Sequence, residues 1–160
     1  MPRTWNISSF IGALLAAYFI VVWAPIAWQI AVSPVFGLYQ LPNVSVALYA
    51  DDHLGVTGPA MVRLAWLLAL ARAVTVAFFV VFVVRLAVPA LRRRGGVDQT
   101  LGFALAFGSL FSFACVLMAS KVGEQAAVRL HAVELLMLLA AVVAMALEKP
   151  VRRPAAVSAT

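Results

Sequence analysis

Long apolar stretches broken by short polar ones set the plan of the chain. Apolar residues run with few interruptions from Ser9 to Val32, Ala60 to Val88, Gln99 to Ser120 and Gln125 to Leu147. Large apolar side chains fall on every face of each stretch, which is neither the alternation of a half-buried strand nor the single stripe of a surface helix. A helix rises about 1.5 Å per residue, so roughly 20 residues cross a hydrocarbon layer about 30 Å thick. All four runs meet that length. Lipid gives backbone groups no hydrogen-bond partner, which selects helices, and the runs exceed the roughly 9–11 residues of a barrel strand. The pattern predicts an all-α integral membrane protein with four transmembrane helices in an up-down bundle. It forms one domain over 1–160, with spans at 9–32, 60–88, 99–120 and 125–147, an outer loop at 33–58 and a cytoplasmic tail at 148–160.

The residues between the runs fit this division. Pro34 follows the first, and Thr57 with Pro59 reads as a capping residue and a proline start for the second. Pro89 and Gly95-Gly96 separate the second from the third, where Asp98 is a candidate N-cap; Gly123 and Pro150 punctuate the fourth. Pro25 is expected to kink the first helix. The first run is too long for a signal-peptide core of about 7–15 residues, so it is read as a retained helix. The 33–58 loop is rather apolar, and Gly37 and Pro42 argue against one continuous helix. It is expected to lie on the bilayer surface or against a partner. Asn43-Val44-Ser45 matches a glycosylation sequon but is read as a plain turn.

Charge sets the orientation. Positive residues in short loops stay on the cytoplasmic side. Arg3, Arg85, Arg92, Arg93, Arg94, Lys149, Arg152 and Arg153 fall on one side of a four-pass thread, with Arg63, Lys121 and Arg129 on the other. Both termini are therefore expected in the cytoplasm. Trp5 near one interface, and Trp28 and Tyr39 near the other, fit aromatic belts.

Composition agrees and narrows the function classes. Apolar residues make up 65% of the chain and charged ones 11%, far from the roughly 25% charged of a soluble domain. The net charge of +6 sits at the ends of apolar runs, which points to lipid headgroups rather than nucleic acid. Cys115 is the single cysteine, so an intrachain disulfide or thiolate cluster is excluded. Ten arginines against two lysines, with many Ala and Val, point to a GC-rich bacterial genome and hence a bacterial cytoplasmic (inner) membrane.

Three groups of residues carry candidate chemistry. Arg72 and Glu134 lie within spans, where an unpaired charge costs roughly 2.5–3.5 kcal/mol on insertion scales. Counted from the outer ends, both sit about 10–12 Å deep. They are expected to meet as an intramembrane ion pair joining the second and fourth helices. Glu124, His131 and Glu134 share roughly one face of the fourth helix, and Glu124 and His131, with His53 from the loop, form an expected outer polar cluster; they are too few for a metal site. Ala104, Gly108, Ser112, Cys115 and Ala119 recur every three or four residues along the third helix, a small-residue seam for close helix packing.

No serine has a histidine at catalytic spacing, and no phosphate loop, dinucleotide fingerprint or carboxylate pair is present in the sequence. The expectation is a chain that is not an enzyme and has no metal or cofactor, no nucleic-acid partner and no soluble substrate. It is read as an accessory or scaffolding subunit of a larger membrane complex, a transporter or respiratory assembly, whose partners are the bilayer and other membrane subunits. The alternatives are a small transporter or ion-conducting protein using Arg72 and Glu134, and a haem or redox anchor.

Overall fold

The computed structural model describes residues 7–148, and within them every regular element is helical. Four long helices, α1 (Ile7–Val32), α4 (Pro59–Ala87), α6 (Val97–Val122) and α7 (Gln125–Glu148), are long and apolar enough to cross a membrane. Three short ones, α2 (Pro34–Leu38), α3 (Val44–Leu54) and α5 (Pro89–Arg93), lie in the connections. Trp5, Arg3, Lys149, Arg152, Arg153 and most of the 148–160 tail, to which orientation and belt roles were assigned, lie outside the described residues.

The helix ends follow proline and glycine chemistry more than side-chain capping. Proline opens α2, α4 and α5, where its missing N–H would have had no helical partner. The caps expected at Thr57 and Asp98 do not form. Gly58 and Gly96 occupy the N-cap positions without a side-chain hydrogen bond, and Asp98 sits in the first turn of α6. Gly123, at φ 75°, ends α6 in the left-handed conformation. The amides of Gly123 and Glu124 return to the Ala119 carbonyl, and α7 starts two residues later. Helix α1 continues through Pro25 without interruption.

Helix α1 packs on α4 and α7, and α6 packs on α7 and α4. The 33–58 segment differs from the surface loop expected. Its two short helices fold back over one end of the bundle, α2 against α1 and α4 and α3 against α6. Leu38, Val46, Ala47 and Ala50 are buried there, so the loop's apolar residues serve this chain's own core. Gly37 makes the fit possible: a methyl group on it would come within 2.7 Å of the Ile30 Cα.

The interior has two apolar parts. One is built on Phe19, Phe79, Phe82, Leu101, Leu105 and Leu138, with Phe19 stacked on Phe79 at 5.3 Å. The other lies beneath the α2–α3 cap around Ile30, Leu38, Ala47, Met61 and Ala65. On α4, Arg72 falls between the residues of the first part and those of the second, and Ser112 does so on α6. Outward, the long helices expose large apolar side chains such as Leu67, Leu110, Leu136 and Leu147, as helices solvated by acyl chains do.

Candidate functional site

Between the two apolar parts sits a buried polar centre assembled from all four long helices and the cap. Arg72 lies 13 residues beyond Pro59, about 20 Å along α4. Its side chain is fully buried. Nη2 donates to the Pro42 carbonyl at 3.0 Å and to Asn43 Oδ1 at 2.8 Å. The guanidinium carbon lies 5.0 Å from the Trp23 ring centroid and 4.8 Å from that of Phe111. Such faces attract a desolvated cation by roughly 2 kcal/mol each. Nε has no hydrogen-bond partner.

Asn43 fixes this arrangement from the cap. It is wholly buried, and its Nδ2 donates to the Gly37 carbonyl at 2.8 Å, which leaves Oδ1 facing Arg72. The turn between α2 and α3 therefore delivers two acceptors, one backbone and one side chain, to a buried arginine. Lipid could supply neither.

Glu134 is the second focus. Oε1 accepts from Trp23 Nε1 at 2.9 Å, and Oε2 accepts from the Ser112 hydroxyl at 3.3 Å. His131 Nδ1 lies 2.8 Å from Oε2, and its Nε2 lies 3.1 Å from the Pro42 carbonyl oxygen. That carbonyl consequently meets both Arg72 and His131, one for each lone pair. Glu134, Arg72, His131 and Trp23 are all at most 1% exposed.

Arg72 and Glu134 belong to the same centre, but the contact at ion-pair distance among the described residues is His131 with Glu134. The two charges are bridged by neutral groups, since each has its own partners and both touch Trp23. The trio of Glu124, His131 and His53 is not brought together. His131 turns inward, His53 is exposed and stacks on Tyr49 at 4.7 Å, and Glu124 lies at the start of α7, partly exposed. Among the described residues, no set of three or more His, Cys, Asp or Glu side chains could hold a metal ion. Ala104, Gly108, Ser112, Cys115 and Ala119 are all buried on the inward face of α6. Gly108 packs so closely that an added methyl would lie 3.3 Å from both Leu138 methyls.

Trp23, Asn43, the Ser112 hydroxyl and the Pro42 carbonyl complete the centre without having been expected there from the sequence. One signal was available: an indole N–H within a span needs an acceptor, and Glu134 is the acidic residue deepest in a run. Compared with known proteins, the chain matches no protein-family model, no curated protein and no solved structure.

Proposed function

We propose that the chain is a non-catalytic subunit that docks on a larger assembly in a bacterial inner membrane, its four long helices threading up and down with both ends in the cytoplasm. Antiparallel threading is supported by contacts at two heights: Ser8 meets Glu148, and Trp23 meets Glu134. Orientation rests on arginine placement, with Arg92, Arg93 and Arg94 at the end opposite the cap.

The observation that carries the docking reading is a groove of about 440 Å³ between α1 and α4, lined almost wholly by apolar surface. Ala27 and Ala31 contribute from α1, and Ala69, Ala73 and Ala77 from α4, with Trp28 and Trp66 beside them. Alanines at four-residue spacing let another helix approach closely, and in lipid such packing drives association. Meanwhile the polar centre is turned inward, and Arg72, Glu134 and His131 meet partners within this chain. That fits a scaffold better than a substrate path.

Extraction in mild detergent, native electrophoresis and mass spectrometry of co-migrating proteins test the reading. The wild type is expected to migrate with larger partners. Filling the groove with A73L should release them while leaving the chain folded; migration as a monomer in every mild detergent would sink the proposal. A second reading, a small transporter, draws on the charged groups at Arg72, His131 and Glu134 inside the bundle. The haem-anchor reading draws no support, because both ring nitrogens of His131 already face oxygen atoms and His53 is exposed beside Tyr49.

A further inference from the structure

His131 has an oxygen against each ring nitrogen: Glu134 Oε2 at 2.8 Å and the Pro42 carbonyl at 3.1 Å. A backbone carbonyl only accepts, an ionised carboxylate only accepts, and a neutral imidazole has a single N–H. A neutral His131 beside an ionised Glu134 would set one bare nitrogen lone pair against an oxygen lone pair at a fully buried site. We infer that His131 and Glu134 together hold one proton more than a neutral imidazole and a carboxylate carry, so that the couple is a buried proton-binding site closed by the α2–α3 cap.

Two arrangements contain that proton, and they have the same atoms. In one, an imidazolium donates from Nδ1 to Glu134 and from Nε2 to Pro42. In the other, Glu134 is a neutral acid donating from Oε2 to Nδ1, while Nε2–H still donates to Pro42. Transfer of one proton across the 2.8 Å contact converts them. Trp23 Nε1 can only donate, which keeps Oε1 an acceptor in both; the Ser112 hydroxyl donates to Oε2 in both.

The loaded couple is neutral overall, so Arg72 keeps its positive charge without a full counter-ion. Its geometry accommodates that. The guanidinium is held by the Pro42 and Asn43 oxygens and by the two aromatic faces, with no contact to Glu134 at ion-pair distance. The other titratable or charged groups that bear on the site are Tyr18 from α1, Arg72 from α4 and Cys115 from α6. The cap contributes only the Pro42 carbonyl and Asn43, since Asp51, Asp52 and His53 on α3 are exposed. When the proton leaves to water, a carboxylate and a neutral imidazole remain, and one N–H serves two acceptors, so either Glu134 or the turn at Pro42 loses a donor.

Nitrogen NMR of ¹⁵N-histidine-labelled protein in lipid nanodiscs at neutral pH tests this. H53Q leaves His131 as the single imidazole and touches nothing in the centre. The expected spectrum shows either protons on both ring nitrogens, or a protonated Nε2 with Nδ1 accepting a hydrogen bond and a carboxylic-acid band in the infrared. A neutral ring with one nitrogen free of any hydrogen bond, beside an ionised Glu134, would overturn the inference.

Discussion

Gly37 offers a demanding test because one methyl group should be felt across the cap. In G37A the new Cβ would lie 2.7 Å from the Ile30 Cα and 2.9 Å from the Ile30 amide nitrogen. Both are backbone atoms of a long helix, so no side-chain rotation relieves the clash. Helix α2 must lift away from α1, carrying the Gly37 carbonyl that Asn43 Nδ2 holds at 2.8 Å. Asn43 in turn orients an acceptor for Arg72. Overpacking costs about 1–3 kcal/mol. A weakened buried hydrogen bond adds about 1 kcal/mol, for a total of about 2–4 kcal/mol. Reversible unfolding in mixed micelles, followed by circular dichroism as the denaturing detergent fraction rises, measures this directly. The control is G102A, where an added Cβ has nothing within 4 Å and the stability should move by less than about 1 kcal/mol. If G37A and G102A unfold together, α2 is not seated against α1 at Gly37.

Exchanging the charges, as R72E with E134R, should not restore stability to either single variant. Arg72 is served by two acceptors and Glu134 by donors, so both sites would meet the wrong partners in the same unfolding assay. R72K should lose about 2–3 kcal/mol, because an ammonium cannot lay a planar fork over the adjoining Trp23 and Phe111 rings while reaching Pro42 and Asn43; stability equal to wild type would refute that role. G108A should cost at most about 1 kcal/mol and G108L at least about 3 kcal/mol, since Leu138 and Thr75 leave room for one methyl group at most. Cys115 is buried, so a thiol introduced by R94C is the one open to a membrane-impermeant maleimide. It should stay unlabelled on intact cells and react after lysis; labelling from outside would reverse the threading.

The four spans were legible because the requirement behind them is local: about 20 apolar residues in a row. The presence of Arg72 and Glu134 in those runs also flagged the centre. Their partners were not legible. Asn43 lies 29 residues from Arg72 and looked like part of a turn, and Pro42 looked like a helix breaker rather than the bearer of a doubly used carbonyl. Trp23 was absorbed into an apolar run although its N–H must be satisfied in lipid. The inward turn of His131 escaped for a related reason. Helical spacing puts Glu124, His131 and Glu134 on one face and suggests an outer stripe, whereas the packing of α7 against α1 and α6 buries the His131–Glu134 part of that face. Periodicity reports which side of a helix is apolar, and here a polar stripe faces the interior.

The position of Arg72's partners along the chain bears on biosynthesis. Trp23, Pro42 and Asn43 all precede it, so they have left the ribosome before the arginine does. An arginine entering the membrane alone is penalised by roughly 2.5–3.5 kcal/mol on insertion scales. Its carbonyl, amide and indole neighbours are ready to receive it when α4 leaves the translocon. Glu134, by contrast, is the last residue of the centre to emerge, and the carboxylate of Glu148 that accepts from the Ser8 amide follows it. The nascent protein can accordingly shelter its most costly cation early, and the final helix latches an arrangement whose first half is already in place.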